Sequence, residues 1–213
     1  MEIINTKDGS HTIYLKEINE TYHSIHGAIL ESQYVFINNG LLKSNKNKLK
    51  ILEIGLGTGL NALLTLININ GKKIYYTALE PKPIDMMMIK KLNYGRILNK
   101  IDTYNKIHKV DWEQEIELTK DFFIIKIKNT IEKYITRERF DIIFFDAFAP
   151  NKQSEIYEYE VINKCFKLLR EGGFLVTYCA QGDFKRKLTR SGFNVDTLNG
   201  PPGKREMVRA TRK

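Results

Sequence analysis

A strand that runs directly into three closely spaced glycines is the most informative segment of this sequence. Residues 51–59 read I-L-E-I-G-L-G-T-G, and the apolar run Leu60–Ile69 that follows has the length of a helix. Glycines at such a turn let the backbone bend sharply and let a ligand approach the main-chain amides that begin the helix. An ordinary strand–turn–helix is the alternative interpretation. Because a strand, an acid and three glycines coincide here, we predict an α/β fold with a ligand site at this turn.

The spacing of the glycines separates two classes of ligand. Dinucleotide folds use G-x-G-x-x-G to hold a pyrophosphate, whereas this chain has G-x-G-x-G with an acid, Glu53, two residues ahead. That pattern resembles the S-adenosylmethionine loop, in which no phosphate needs room and the acid faces the cationic amino acid moiety. We therefore predict S-adenosylmethionine as the cofactor. The predicted cofactor-binding residues at this loop are Glu53, Gly55, Gly57, Thr58, Gly59 and Asn61.

Strand-like and helix-length segments alternate after the loop, which is typical of a mostly parallel sheet covered by helices on both faces. A second helix is expected over Pro83–Leu98. About seven strands are expected, and the last two, Asn194–Leu198 and Glu206–Thr211, should pair as an antiparallel hairpin. This α/β arrangement predicts a class I methyltransferase fold, which is Rossmann-like, rather than a plain dinucleotide fold.

Two regions are predicted. Residues 42–213 form the methyltransferase domain, and residues 1–41 form a short N-terminal extension that leans over the active site. The extension contains two β-like pieces, Thr12–Leu15 and Tyr34–Ile37.

Glu80 ends the second predicted strand, about twenty residues after the glycine loop. A carboxylate there can accept hydrogen bonds from both ribose hydroxyls of a nucleotide-like ligand. A surface Glu that caps a strand is the alternative. The adenine contact is expected after the third strand, near Asn129, since Lys126 and Lys128 are unsuitable there.

Asp146 follows the buried strand that begins at Phe140. Ligands bind and react at this edge of an α/β sheet, so Asp146 is the predicted catalytic residue. It could hold the attacking amine, take its proton or face the sulfonium, and a structural loop cap is the alternative. Phe148 and Pro150 would form the walls of the transfer path.

The charge of the chain is concentrated at its C-terminal end. Lys and Arg total 34 against 25 Asp and Glu, a net charge of +9, and residues 185–213 alone carry nine basic and two acidic residues. A positive surface of this kind suits a phosphate-rich partner. A Lys-rich composition that merely increases solubility is the alternative.

Several classes of protein are excluded by what the sequence lacks. The only two cysteines, Cys165 and Cys179, form no C-x-x-C pair, and the four histidines show no metal spacing, so we expect no disulfide scaffold and no metal. Apolar runs are far too short to span a membrane, and no secretory signal is visible at the start. We therefore expect a cytoplasmic protein.

Four motifs in a fixed order carry a specific resemblance. They are residues 22–37 (Y-H-S-I-H-G-A-I-L-E-S-Q-Y-V-F-I), 146–150 (D-A-F-A-P), 176–179 (V-T-Y-C) and 200–207 (G-P-P-G-K-R-E-M). Together they resemble the tRNA 5-methylaminomethyl-2-thiouridine methyltransferases over nearly the whole chain. One departure is Tyr157, which stands where that family often has Trp.

The resemblance implies transfer of a methyl group from S-adenosylmethionine to the aminomethyl group of the wobble uridine, in the anticodon stem-loop of tRNA. Many family members are fused to an FAD-dependent oxidase, which would need a glycine fingerprint of its own. Because this sequence contains no second fingerprint, we expect the stand-alone form. The resemblance also implies a cofactor contact for Glu31. The substrate-binding residues it implies are Tyr22, His23, Phe148, Pro150, Lys204 and Arg205.

Two other functions remain open at this point. A polyamine (aminopropyl) transferase uses the same fold, but its polycationic substrate calls for an acidic entrance, which the basic tail argues against. A non-catalytic tRNA-binding module would share the basic tail and would have no need of Glu53, Glu80 and Asp146 together.

Overall fold

The chain begins with a small antiparallel sheet and a short helix. In the computed structural model, which describes all of residues 1–213, this sheet has the order β1 (Glu2–Asn5), β2 (His11–Leu15) and β3 (Glu20–Thr21), and helix α1 (Ala28–Ser32) follows. The strand predicted at Thr12–Leu15 is confirmed.

The second predicted piece, Tyr34–Ile37, is wrong as a strand. Gln33–Asn38 forms a π-helical turn, in which the three consecutive residues Val35, Phe36 and Ile37 are all buried. Periodicity alone does not distinguish a buried strand from a buried helix in so short an apolar run. Packing of this turn against the core decides its conformation.

Eight strands form the central sheet. Along the sheet their order is β10-β11-β9-β8-β4-β5-β7-β6. In chain order they are β4 (Lys48–Ile54), β5 (Lys73–Leu79), β6 (Glu115–Thr119), β7 (Phe122–Ile127), β8 (Phe140–Phe145), β9 (Leu169–Thr177), β10 (Phe193–Asn199) and β11 (Glu206–Arg212).

The pairing agrees with the predicted fold class. Strand β4 is parallel to β5 and β8, β5 is parallel to β7, and β8 is parallel to β9. Strands β10 and β11 form the predicted antiparallel hairpin. The sheet has eight strands rather than seven because β6 pairs antiparallel with β7 at the opposite edge. All six residues of β8 are buried, as expected for a parallel strand covered on both faces.

Helices cover both faces of the sheet. They are α2 (Leu60–Ile67), α3 (Met86–Ile89), α4 (Tyr94–Ile97), α5 (Ile101–Lys109), α6 (Tyr159–Leu168) and α7 (Gly182–Arg190). The single helix predicted over Pro83–Leu98 is wrong, because two short helices, α3 and α4, stand in its place. A Cβ on Gly95 would lie 2.9 Å from the Cα of Ile101. The absence of a side chain there lets α4 pack tightly against the start of α5.

Two hydrophobic clusters fill the space between the sheet and its helices. Residues of α2 and α5 belong to one cluster, and residues of α6 and α7 belong to the other. Both cysteines are free thiols buried within the second cluster. None of the helices combines the length and the apolar character needed to cross a bilayer.

Asp141 joins three parts of the fold at the start of β8. Its side chain is only 3% exposed and accepts hydrogen bonds from Lys46 Nζ (2.7 Å), the Lys50 amide (2.8 Å) and Arg170 (2.7 Å). Burial alone would raise the pKa of Asp141, but these hydrogen bonds outweigh burial and lower it. The carboxylate therefore connects β8 to β4, to β9 and to the loop before β4.

We expect Asp141→Asn to lower the free energy of unfolding by roughly 1–3 kcal/mol, because it leaves buried donors without a charged acceptor. Urea denaturation at several pH values measures the effect. Since the folded-state pKa is lowered, this stability is present above about pH 4 and is lost as pH falls through that pKa.

The control for this variant is Glu138→Gln, which removes the exposed carboxylate that pairs with Lys50. Exposed ion pairs contribute little to stability, so Glu138→Gln should change the free energy of unfolding by no more than about 0.5 kcal/mol. Equal stability of Asp141→Asn and Glu138→Gln at pH 7 would contradict the structural role of Asp141.

Candidate functional site

The glycine loop connects β4 to α2 in a backbone conformation that residues other than glycine rarely adopt. Gly55, Gly57 and Gly59 have φ angles of +92°, +48° and +72°. A Cβ on Gly55 would lie 2.3 Å from the backbone oxygen of Asp146. The loop and the end of β8 are therefore in direct backbone contact, and glycine is required at this position.

Glu80 holds the loop from the end of β5. Its carboxylate accepts hydrogen bonds from the backbone N–H groups of Gly57 (2.9 Å) and Lys82 (2.9 Å). Burial raises the pKa of Glu80, and the two backbone hydrogen bonds oppose that rise. Glu80 and the glycine loop are therefore in direct contact.

One amide at the start of α2 bridges a buried acid and a half-buried acid. The Asn61 side chain donates to Glu53 Oε1 (2.9 Å) and to Asp146 Oδ2 (2.7 Å). Glu53 is fully buried, and its Oε2 atom has no hydrogen-bond partner. Glu53 thus lies beneath Asn61.

The environment of these acids favours their protonated forms. Burial first, and then the negative charge of Asp146, raises the pKa of Glu53 well above its usual range. Burial and the charge of Glu31 raise the pKa of Asp146 to about 7, while the Asn61 hydrogen bond and Lys204 oppose the rise. Asp146, which is half-buried, can therefore gain and lose a proton near neutral pH.

Tyr22 lies across the glycine loop. A Cβ on Gly57 would be 3.0 Å from the Tyr22 ring, and that ring meets Phe148 edge-on with centroids 5.2 Å apart. Burial, and then the charge of Glu80, raises the pKa of Tyr22 to about 12, so its hydroxyl stays protonated. Tyr22 and Phe148 together cover the loop on the side that faces the end of β8.

His23 holds the loop rather than lining an open surface. Its Nε2 atom is hydrogen-bonded to Thr58 Oγ1 (2.6 Å), and the residue is only 7% exposed. Burial lowers the pKa of His23 to about 4, so the imidazole is neutral. The backbone oxygen of Thr58 accepts hydrogen bonds from the Tyr104 hydroxyl (2.8 Å) and from His108 Nε2 (3.1 Å).

The N-terminal and C-terminal motifs meet at an ion pair. Glu31 pairs with Lys204, and it also accepts a hydrogen bond from the backbone N–H of Ser24 (2.9 Å). Lys204 lies 4.6 Å from the ring centroid of Tyr178, whose hydroxyl donates to the backbone oxygen of Ala147 (2.7 Å). The ion pair therefore stands beside the strand end that carries Asp146.

A cleft of about 480 Å³ opens next to this ion pair. It is bordered by the segment after β8 on one side and by the loop between β10 and β11 on the other. The lining residues include Pro150, Tyr178, Cys179, Gln181, Lys204 and Arg205.

The structure does not bring Asn129 into the same network. Its side-chain oxygen accepts from the backbone N–H of Thr130 (2.9 Å), and no hydrogen bond connects it to the glycine loop or to Glu80. Sequence reasoning missed Tyr104 and His108, because helix α5 had not been predicted. No group of three or more His, Cys, Asp or Glu side chains is placed to hold a metal ion.

Comparison with solved structures identifies the fold. MnmC2 from Aquifex aeolicus superposes with a TM-score of 0.77 at 22% identity, over 100% of this chain and 70% of that one. A methyltransferase from Pyrococcus furiosus superposes with a TM-score of 0.55 at 18% identity, over 93% of this chain and 90% of that one. The predicted methyltransferase fold is confirmed.

Curated relatives match nearly the whole chain. The tRNA 5-methylaminomethyl-2-thiouridine biosynthesis bifunctional protein MnmC of Cupriavidus metallidurans is 26% identical over 97% of this chain and 33% of its own length. The uncharacterized protein MJ0670 of Methanocaldococcus jannaschii is 24% identical over 98% of this chain and 58% of its own. The chain thus spans about a third of the bifunctional relative and less than two thirds of the other.

A family model described as S-adenosyl-L-methionine-dependent methyltransferase matches residues 89–213, which is more than half of the chain. The matched segment begins after the glycine loop and includes Asp146. The chain belongs to the S-adenosyl-L-methionine-dependent methyltransferase family.

Proposed function

We propose that this enzyme methylates the aminomethyl group of 5-aminomethyl-(2-thio)uridine at the wobble position of tRNA. The observation that carries the proposal is the position of Asp146, a half-buried acid after β8 whose backbone oxygen meets Gly55 of the glycine loop and whose carboxylate accepts a hydrogen bond from Asn61. The order of the four motifs and the similarity to a tRNA 5-methylaminomethyl-2-thiouridine biosynthesis protein support this choice of substrate. A tRNA substrate implies a cytoplasmic enzyme.

The residues of the loop fit the proposed cofactor. The left-handed glycines keep the turn free of side chains, and the Oε2 atom of Glu53, which has no hydrogen-bond partner, is available to a polar group of the cofactor. We assign the amino acid moiety to the Asn61–Glu53 pair and the ribose to Glu80. The other proposed cofactor contacts are Glu31, Gly55, Gly57, Thr58, Gly59 and Asn129.

S-adenosylmethionine, when bound, supplies a methyl group activated by the positive sulfur. The attacking amine must be neutral, because an ammonium has no lone pair. In this proposal Asp146 accepts a hydrogen bond from the amine, orients it and takes the proton that the nitrogen loses. Such alignment can supply several kcal/mol, about 7–11 at best. Tyr22, Phe148 and Pro150 exclude water and form the walls of the path.

The alternative functions are less well supported by the site. A polyamine-type transferase needs an acidic entrance, whereas the cleft is lined by Lys204 and Arg205 and by a single acid, Glu206, which pairs with Lys185. A purely tRNA-binding module would not need two acids joined by Asn61 in a buried position, because keeping them buried is unfavourable. The overall test is methylation of tRNA that carries 5-aminomethyluridine, with the wobble nucleoside identified by mass spectrometry. Absence of a methylated wobble nucleoside would reject the proposal.

We expect Gly57→Ala to weaken S-adenosylmethionine binding at least tenfold, because the new Cβ would stand 3.0 Å from the Tyr22 ring and displace it from the glycine loop. Isothermal titration calorimetry measures the affinity. Gly71→Ala is a matched control, since Gly71 also has a positive φ (+78°) but faces open space. Both variants carry similar backbone strain, and only Gly57→Ala should change the affinity. Equal cofactor affinities of the two variants would remove Gly57 from the binding site.

Replacement of Asp146 by Asn should retain most of the cofactor affinity and lower single-turnover methylation by about 10²–10⁴-fold, the usual contribution of a positioned general base. The substitution keeps the shape of the side chain and removes its ability to accept a proton. Methylation near the wild-type rate would exclude Asp146 from the mechanism.

The pH dependence of kcat/KM should report the ionisation of the Asp146 carboxyl. If its ionised form accepts the proton, kcat/KM rises with pH through an apparent pKa near 7, the raised value for this carboxyl. Lys204 lowers that pKa, so Lys204→Met should move the rise to higher pH. Lys213→Met at the chain end is the control and should leave the profile in place. A profile that shifts to lower pH in Lys204→Met would contradict the assignment.

A further inference from the structure

A second cavity lies apart from the cleft, between α3, α4 and α5. Its volume is about 350 Å³, and no carboxylate lines it. Four basic side chains contribute to its walls, namely Lys90, Lys91, Arg96 and Lys109. We propose that this cavity binds backbone phosphates of the RNA substrate, which rests on the proposed function and extends it by a separate RNA-binding site.

The charge of this segment supports an anionic ligand. Residues 82–109 contain seven Lys and Arg residues against two Asp residues, a net charge of +5. The four basic residues of the cavity are exposed, and none of them takes part in any ion pair of the chain. Four exposed cations around one cavity, none of them in an ion pair, create the positive potential that a polyanion needs.

The C-terminal tail differs in this respect. Five of its nine basic residues are already in ion pairs with carboxylates, namely Lys185, Arg186, Lys187, Lys204 and Arg209. Arg212 donates to the backbone oxygens of Phe166 (3.0 Å) and Leu169 (2.7 Å). Most of the tail's charge is therefore compensated or used within the fold, so the cavity is the stronger candidate for phosphate.

The position of the cavity connects it to the methylation site. The segment that forms it leaves the C-terminal end of β5 and returns at Trp112, which bridges to Lys126 near the end of β7. Tyr104 lines the cavity and also donates a hydrogen bond to the Thr58 backbone in the glycine loop. Both RNA contacts would thus lie along the edge of the sheet that carries the cofactor loop.

The floor of the cavity is held in place by the N-terminal sheet. Asn93 lines the cavity, accepts a hydrogen bond from the His11 amide (2.8 Å) and donates to the backbone oxygen of Gly9 (2.9 Å). These hydrogen bonds fix the backbone segment from which Lys90, Lys91 and Arg96 extend. Contacts from Lys and Arg to phosphates position a nucleic acid without reading its sequence. The volume is at the lower end of the range for ligand pockets, roughly 300–1,000 Å³, which suits a short stretch of backbone.

The test compares two variants of equal charge. The cavity variant is Lys90→Gln/Lys91→Gln/Arg96→Gln/Lys109→Gln. The control variant is Lys43→Gln/Lys120→Gln/Lys133→Gln/Arg137→Gln. Like the cavity variant, it removes three exposed Lys and one exposed Arg that form no ion pair. Fluorescence anisotropy over a salt series gives the affinity of each protein for 5-aminomethyluridine tRNA. Calorimetry with S-adenosylmethionine and thermal melting show that each variant is folded.

The cavity variant should bind tRNA at least tenfold more weakly than the control variant. Its dependence of log affinity on log salt should flatten by roughly one unit per lost phosphate contact. If the quadruple variant melts early, the single variants Arg96→Gln and Lys109→Gln take its place, with an expected loss of about one unit of slope each.

Equal affinities and parallel salt slopes for the two variants would overturn the inference, even if the wild type methylates tRNA. Loss of binding in the cavity variant, together with a wild type that binds tRNA but never methylates it, would support the cavity and reject the proposed function. A wild type that binds no tRNA overturns both. Binding of inorganic phosphate by the wild type with no difference between the variants toward tRNA would make the cavity a small-anion site and reject the RNA assignment.

Discussion

A single amide that joins the buried Glu53 to the half-buried Asp146 is the interaction on which the site depends. Asn61 donates to Glu53 at the end of β4 and to Asp146 after β8, so its side chain connects adjacent strands above the start of α2. Burial, and then the charge of Asp146, raises the pKa of Glu53, whereas burial and the charge of Glu31 raise the pKa of Asp146. The Asn61 bridge fixes both side chains beside the glycine loop, and its hydrogen bonds oppose the rise in pKa that burial causes.

The glycine loop is held from three directions. Gly55 touches the Asp146 backbone, Glu80 accepts the Gly57 amide, and His23 binds Thr58 from the N-terminal extension. Each of these contacts belongs to a segment far from the others in sequence. A loop supported in this way is largely preorganised, so little ordering remains to be done when a ligand binds.

The distribution of charge on the surface depends on pairing more than on composition. The C-terminal tail holds most of the net charge, yet its cations face acids such as Glu206, Asp183 and Glu31. The cations around the α3–α5 cavity face none. Unpaired cations attract the phosphates of a nucleic acid more strongly than paired ones, because an ion pair already reduces the local positive potential.

The sequence by itself determined the alternation of strands and helices, the glycine loop, and the placing of Glu53, Glu80 and Asp146 at strand ends, since these depend on local patterns and on the polarity of parallel strands. It did not reveal that Gln33–Asn38 is helical, that β6 adds an eighth strand, or that α5 exists, because short apolar and polar runs suit more than one conformation until they are packed.

Only the tertiary structure decided that Asn61 bridges two acids, that Glu31 pairs with Lys204 across 173 residues of chain, and that four cations remain unpaired around one cavity. The physical reason is that hydrogen bonds and ion pairs between distant residues depend on distances in the folded chain, which residue types and spacings do not specify.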